Sequence, residues 1–152
     1  QGEKLLQQMR EQLESIQSST SNFKRRPKIY FEEWDEPHIS GISWVSELMG
    51  IAGGDDCFPE LACMPMGKDR IIANSQTIVD RAPDIIIGSW CGKKFRSEKV
   101  ASRVGWQDIP AVKNKQLFEI KSADILQPGP AALTDGVVQM QRIVAQWQAN
   151  HA

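Results

Sequence analysis

The chain has 152 residues, enough for one domain with a single buried core. Its 18 basic and 19 acidic residues almost cancel, so bulk charge does not favour nucleic acid as a partner. No apolar run approaches the roughly 20 residues of a membrane-spanning helix, and the odd cysteine count of three argues against a closed disulfide framework.

The first segment predicts an amphipathic helix over residues 3–19. Apolar side chains recur there at helical spacing, at Leu5, Leu6, Met9, Leu13 and Ile16. A polar helix ahead of the first strand is unusual for a complete α/β domain. It is therefore either a coiled-coil arm or a connecting helix whose preceding domain is missing. We place the one boundary near Asn22, with a helix over residues 1–22 and an α/β unit over residues 23–152.

Strand and helix signals alternate along the rest of the chain. Residues 28–33 predict a first strand, and an acidic, aromatic loop follows from Trp34 to His38. Ser40 or Ser43 is expected to cap the next helix, which Gly53-Gly54 ends. An irregular stretch over 55–67, a short strand over 70–73 and a helix from about 75 to 82 come next.

The most apolar strand signal lies at residues 84–89. The run Ile85-Ile86-Ile87 suits a strand that is covered on both faces, as in a parallel sheet between helices. Gly88 and Gly92 then frame a loop that carries Ser89, Trp90 and Cys91. Loops at the carboxyl ends of strands are where open α/β sheets bind ligands, so this loop is a candidate site.

The C-terminal third predicts two short elements and one long helix. Ser97 is expected to cap a short helix with Val100, Ala101 and Val104 on one side, and Ala111-Val112 and residues 117–120 predict a hairpin around residues 113–115. The last helix has a full apolar stripe at Leu133, Val137, Met140, Val144 and Trp147. Together the elements predict an α/β fold, a mostly parallel sheet flanked by helices in a Rossmann-like lobe.

Three loops are expected at the carboxyl edge of this sheet: residues 34–38, 89–96 and 121–127. They offer aromatic and charged side chains at Trp34, Asp35, Glu36, Trp90, Lys93, Lys94, Phe95 and Asp124. Aromatic faces with a few polar groups suit a large, partly apolar ligand. The alternative is that the tryptophans only seal the ends of the core.

Familiar catalytic signatures are missing from the sequence, including the P-loop, G-x-G-x-x-G, G-x-S-x-G and H-E-x-x-H patterns. Glu32-Glu33 is weak evidence for acid–base chemistry, because neighbours on a strand point to opposite faces. A small stand-alone α/β enzyme or flavodoxin-like cofactor protein remains an alternative, with Cys91 as nucleophile and His38 as the sole candidate base. Cys57 and Cys63 either pair in an exported protein or stay free, and no metal site is predicted.

The order of these segments resembles the C-terminal lobe of class III periplasmic substrate-binding proteins, the cobalamin and iron-siderophore binders that feed ABC importers. The resemblance covers roughly residues 1–149. It is carried by Phe31 to Pro37, Gly53-Gly54, Ile78 to Gly88, Ile109 to Val112 and Pro128-Gly129-Pro130. The segments at 32–37 and 88–95 are similar to the subgroup that binds cobalamin.

The resemblance implies two α/β lobes joined by a long, rigid helix, with the ligand between them. Residues 1–22 would be that connecting helix, residues 23–152 the C-terminal lobe, and the N-terminal lobe would be missing. It implies binding without catalysis, no intrinsic cofactor, and a periplasmic or extracellular location with a lipid anchor as an option. A lobe studied alone is also expected to form a dimer or larger species through its exposed face.

The resemblance also implies a ligand, a partner and site residues. The ligand would be cobalamin or a related corrinoid, with a ferric siderophore, haem or another metal chelate as the alternative. The partner would be an ABC transporter permease, met at Gln76, where the family typically has a glutamate that pairs with permease arginines. The ligand contacts would be three rings and three polar groups: Trp34, Trp90, Phe95, Asp35, Lys93 and Asp124.

Overall fold

The structure, a computed structural model, describes residues 2–21, 23, 25–127 and 130–151, with the side chain of His151 left out. The predicted boundary at Asn22 and the Pro128-Gly129 part of the last motif lie outside the described residues. The helices are α1 Gly2–Thr20, α2 Ser43–Ile51, α3 Pro59–Ala62, α4 Gln76–Arg81, α5 Ser97–Ala101, α6 Pro110–Lys113, α7 Ser122–Ile125 and α8 Val137–His151. The strands are β1 Lys28–Trp34, β2 His38–Ser40, β3 Asp55–Asp56, β4 Ile71–Ile72, β5 Ile85–Gly88 and β6 Leu117–Glu119.

One mixed sheet organises these elements. Its order is β4-β2-β1-β5-β6, and β3 pairs with the amino end of β1. β1, β3, β5 and β6 pair in parallel, whereas β2 runs antiparallel to β1 and β4. The predicted α/β fold with a mostly parallel sheet is confirmed, and the antiparallel β2 after the turn at residues 35–37 is an addition to it.

Helices cover both faces of the sheet. Ile29 and Phe31 of β1 pack on one face with residues of α1, α2 and α8, while Tyr30 packs on the other with residues of α4, α5 and α6. All three isoleucines of β5 have no exposed surface. The β-branched run therefore forms the doubly covered central strand that its composition predicts.

The predicted hairpin over residues 111–120 is wrong. Ala111 and Val112 lie in α6, which begins at Pro110, because proline suits the first position of a helix and its missing N–H needs no partner there. A turn through Lys115, with φ +57°, then leads into β6. β6 pairs in parallel with β5, so the segment adds a strand to the sheet edge.

Three further local predictions are wrong. Ser97 is the first residue of α5 and not its cap, since the residue before the helix is Arg96 and no side-chain cap is formed. α2 is not capped by Ser40 or Ser43: the residue before it is Ile42, whose N–H donates to Oε2 of Glu33 at 2.8 Å, and Ser40 is buried in β2. Val104 does not join the apolar side of α5, since α5 ends at Ala101 and Val104 is 95% exposed. Among the described residues, no helix is both long and apolar enough to cross a bilayer.

Candidate ligand-binding site

The carboxyl ends of β1, β5 and β6 meet at one edge of the sheet. Parallel pairing aligns Glu32 with Gly88 and Gly88 with Glu119, so the loops that follow the three strands start side by side. These are the three loops that the sequence predicts to meet. The edge is therefore the place where the chain brings its polar and aromatic loops together.

A buried carboxylate, Glu32, ties this edge together. Its side chain has no exposed surface, and Arg103 donates to both of its oxygens at 2.8 and 2.9 Å. The Tyr30 hydroxyl donates to Oε2 at 2.7 Å, Trp90 Nε1 donates to Oε1 at 3.0 Å, and His38 Nδ1 lies 3.3 Å from Oε2. A charge buried with this many donors is satisfied, and it fixes the side chains that satisfy it.

The network holds Glu32 in its charged form. Burial opposes ionisation, but the contacts with His38, Arg103 and Tyr30 outweigh it and lower the pKa of the Glu32 carboxyl. Burial, and then the neighbouring Glu32, raise the pKa of the Tyr30 phenol, so that hydroxyl remains a donor. The pair therefore consists of a phenol and a carboxylate at neutral pH.

This lowered pKa predicts a specific acid sensitivity. A carboxyl whose folded pKa is depressed contributes stability above its unfolded pKa, about 4.3, and loses it as the pH falls further. We expect the free energy of unfolding to drop more steeply below about pH 4.3 in the natural chain than in Glu32→Gln, because every other carboxyl is common to both. Urea unfolding at a series of pH values measures this, and parallel curves for the two chains would contradict it.

A second charged cluster is centred on Asp35, three residues after Glu32 in the chain. Asp35 is 2% exposed, and Lys93 Nζ lies 2.8 and 2.9 Å from its two oxygens. Lys99 Nζ approaches at 3.6 Å. Burial raises the pKa of Asp35, but the Lys93 contact more than offsets it, so the net pKa is lowered.

Lys93 also covers aromatic rings. Its ammonium lies 4.7 Å from the centre of the Trp34 ring and 5.1 Å from that of Trp90. These are cation–π distances. Lys93 therefore links the loop after β1, which holds Trp34 and Asp35, to the loop after β5. Trp34 is the half-buried ring of this group, and its Nε1 donates to the Glu36 carbonyl oxygen at 3.1 Å.

Two of the three predicted ligand-facing rings are buried. Trp90 is 3% exposed and Phe95 7%, and their centroids lie 4.9 Å apart in an edge-to-face contact. Phe95 rests on Gly88, where a Cβ would come within 1.9 Å of its ring. The expectation that all three rings are exposed to ligand is wrong for these two. Trp90 is buried because it hydrogen-bonds to Glu32, and Phe95 is buried because it packs on Gly88. Their contact with ligand stays a prediction.

The other predicted site residues are spread around the lobe. Asp124, in α7, accepts a hydrogen bond from Gln139 Nε2 at 3.0 Å and lines a cavity beside α1 and α8. Gln76 begins α4, is exposed, and donates to Asp80 Oδ1 at 2.9 Å. Its role in docking stays a prediction.

The structure contains no disulfide between Cys57 and Cys63. Cys57 is buried, Cys63 and Cys91 are exposed, and all three are free. His38 Nδ1 lies 3.3 Å from Glu32 Oε2, so the alternative in which His38 serves as the base for Cys91 gains no support from this contact. Within the described ranges, no group of three or more histidine, cysteine or acidic side chains is placed to hold a metal ion.

Two cavities open along this part of the lobe. One, of about 560 Å³, lies between the loops after β5 and β6 and is lined by Trp90, Gly92, Lys93, Lys94, Glu119, Lys121, Ser122 and Ala123. The other, of about 430 Å³, lies beside the turn after β1, and its lining includes Asp35, His38, Ser75, Arg103 and Trp106. Together they give a concave rim with both apolar and polar walls.

The sequence reasoning missed Arg103 and underestimated Glu32. Arg103 lies in an ordinary-looking Ser-Arg-Val-Gly turn, 71 residues from its partner. The local signal was the position of Glu32, two residues after Tyr30 and on the same side of the strand, directly after the apolar run Ile29-Tyr30-Phe31. A carboxylate at an inward position needs a cationic partner, and that requirement indicates Arg103 only in three dimensions.

A family model described as periplasmic binding protein matches residues 1–123. The chain belongs to the periplasmic binding protein family. The resemblance predicted from the sequence is therefore confirmed at the level of the family. A search of curated proteins finds no match to the chain.

Several solved structures share the fold of this periplasmic binding protein. A Staphylococcus epidermidis protein, described as a possible iron-binding (periplasmic solute-binding) protein, aligns with TM-score 0.76 and 18% identity over 93% of this chain and 54% of its own. The periplasmic vitamin B12 binding protein of Vibrio cholerae gives 0.62 and 21% over 96% and 51%. Staphylococcus aureus IsdE, complexed with haem, gives 0.72 and 16% over 93% and 56%.

These similarities concern the fold of the chain and the share of each solved protein that it covers. The chain spans about half the length of the solved proteins that it matches. The family is described as periplasmic binding proteins, and the three similar solved structures are described as a possible iron-binding protein, a vitamin B12 binding protein and a protein complexed with haem.

Proposed function

We propose that this chain is the C-terminal lobe of a substrate-binding protein of an ABC importer, and that it helps to bind cobalamin or a related corrinoid between two lobes. In this proposal residues 1–22 are the connecting helix and residues 23–152 the lobe. The protein acts in the periplasm or outside the cell, with a lipid anchor as an option. It delivers its ligand to a permease that contacts the lobe at Gln76.

The observation that carries the proposal is the concave rim at the carboxyl edge of the sheet. Parallel strands bring three loops together there, and cavities of about 560 and 430 Å³ open beside them. Lys93, which lines the larger cavity, lies 4.7 Å from the centre of the half-buried Trp34 ring. A flat apolar ring system with a polar periphery fits such walls. The similarity of segments 32–37 and 88–95 to the cobalamin subgroup favours a corrinoid, and one similar structure binds vitamin B12.

The alternative on the same scaffold is haem or a ferric siderophore. It is favoured by the haem bound to the similar Staphylococcus aureus protein. Both alternatives describe binding without catalysis, with the ligand as cargo. They differ in the guest, so a direct comparison of guests separates them.

The test is calorimetric titration of the full natural chain that contains these residues with cyanocobalamin, hemin and a ferric siderophore. We expect cyanocobalamin to bind most tightly. Trp34→Ala should weaken binding about tenfold, because an aromatic contact contributes about 1 kcal/mol beyond area burial. Trp34→Phe, which keeps a ring, should lose less. Tighter binding of hemin, or equal affinities for all three chains, would contradict the corrinoid proposal.

A further inference from the structure

Of the acidic side chains in the three loops, Asp35 is paired with lysines, and Glu36 and Asp124 line other cavities than the one of about 560 Å³. Both oxygens of Asp35 are within 2.9 Å of Lys93 Nζ, and Lys99 lies 3.6 Å away. Asp124 is hydrogen-bonded to Gln139 and lines a different cavity. The mixed charge expected from the sequence is therefore not the charge that a guest would meet.

Two lysines of the rim form no ion pair among the described residues, although Lys94 is near enough to Glu98 to help lower the pKa of that carboxyl. Lys94 and Lys121 are exposed, both line the cavity of about 560 Å³, and neither takes part in an ion pair in the described part of the chain. Lys94 comes from the loop after β5 and Lys121 from the loop after β6, so they approach the cavity from two sides. Their position depends on parallel pairing of the two strands.

Among the described residues that line the same cavity, Glu119 is the one carboxylate. Its Oε2 accepts the backbone N–H of Phe95 at 3.0 Å, which holds the carboxylate against the main chain. With Lys93 balanced by Asp35, the lining has two lysines against one glutamate. The balance is positive, in a chain whose formal net charge is −1.

We propose that this cavity receives an anionic oxygen group of the transported ligand, a phosphate or a carboxylate, and that Lys94 and Lys121 determine specificity for it. The inference rests on the proposed solute-binding function and adds a chemical class to it. Ammonium groups bind phosphate and carboxylate oxygens as point charges. A partly enclosed site strengthens that attraction relative to open water. A corrinoid would supply the phosphodiester of its nucleotide arm, and haem would supply its carboxylates.

The test uses three probes and two matched double variants of the full natural chain. Cyanocobalamin carries the phosphodiester, cobinamide is a corrinoid that lacks it, and hemin carries two carboxylates. Lys94→Gln/Lys121→Gln removes the two cavity charges. Lys113→Gln/Lys115→Gln removes two exposed lysines near the opposite end of the sheet, where the Ala111 N–H donates to the Pro83 carbonyl oxygen ahead of β5. Affinities are measured by calorimetry at low and high salt.

We expect Lys94→Gln/Lys121→Gln to lose about tenfold in affinity for cyanocobalamin and to lose most of its salt dependence. Cobinamide should bind both variants within about twofold of the natural chain, and the control variant should bind all probes normally. If hemin is the only guest and its affinity falls in the cavity variant, the corrinoid function fails but the anion site stands.

Unchanged affinity of the cavity variant for every probe that binds would overturn the inference and leave the transport function in place. An equal loss for cobinamide and cyanocobalamin would also overturn it, because the lysines would then not recognise the phosphate. Failure of the natural chain to bind any of the three probes would overturn both proposals.

Discussion

Replacing Glu32 with glutamine should lower the free energy of unfolding by about 3 kcal/mol, because breaking a buried ion pair leaves its partner without a counter-charge. Arg103 is the stranded group, with its side chain 17% exposed and both donor contacts made to this one carboxylate. The amide keeps the volume of the carboxylate, so the loss reports the charge and its hydrogen bonds. Urea unfolding followed by far-UV circular dichroism measures it.

The matched control for this substitution is Glu98→Gln. Glu98 pairs with Arg96 at 2.9 Å, but both side chains are 67% exposed, and water screens such exposed pairs so that they add little to stability. The control should leave the midpoint almost unchanged. If Glu32→Gln were as mild as Glu98→Gln, the carboxylate would not be the structural centre of the sheet edge.

Replacing Gly88 with alanine should cost about 2 to 3 kcal/mol, as overpacked core positions do. The added Cβ would lie 1.9 Å from Phe95 Cδ1, so the ring must move, and the Trp90 ring 4.9 Å away restricts that movement. Trp90 is in turn hydrogen-bonded to Glu32. The strain therefore passes into the network that holds the edge.

Two companion variants make the second prediction specific. Gly50→Ala in α2 is the control: nothing lies within 4 Å of its added Cβ, and alanine in a helix should stabilise by about 0.5 kcal/mol. Gly88→Ala/Phe95→Leu should be less unstable than the sum of the two single variants, because the smaller side chain leaves room for the methyl. Additive losses would show that Phe95 is not the source of the strain.

Helices and the central strand could be predicted because their signals are local. The stripe from Leu133 to Trp147 and the run Ile85-Ile86-Ile87 each specify an element by spacing alone. The three-residue strand β2 and the two-residue strand β3 could not, because each is too short to show periodicity and each contains polar residues, whereas the equally short β4 is an Ile-Ile pair. The apolar pair Ala111-Val112 fits a strand or a helix equally well, and Pro110 was the signal that favoured the helix.

The site was harder to predict than the fold because its partners are far apart in sequence. Parallel pairing correctly brings the three loops to one edge, but exposure within a loop depends on what lies beneath it. Trp90 is buried by its hydrogen bond to a carboxylate 58 residues away, and Phe95 is buried because Gly88 has no side chain and leaves space for the ring. Neither the contact between Trp90 and Glu32 nor the burial of Phe95 can be derived from the loop residues alone.

The Glu32 network separates the residues that stabilise the sheet edge from the residues that line its cavity. The groups that keep the edge in shape, Glu32, Tyr30 and Trp90, are sealed from solvent, whereas Lys94 and Lys121 stand outside on the surface that they support. Substitutions among the outer side chains need not disturb the inner ones. If the proposed binding function holds, evolution or protein engineering can therefore change the charge that a ligand meets without loss of folding stability.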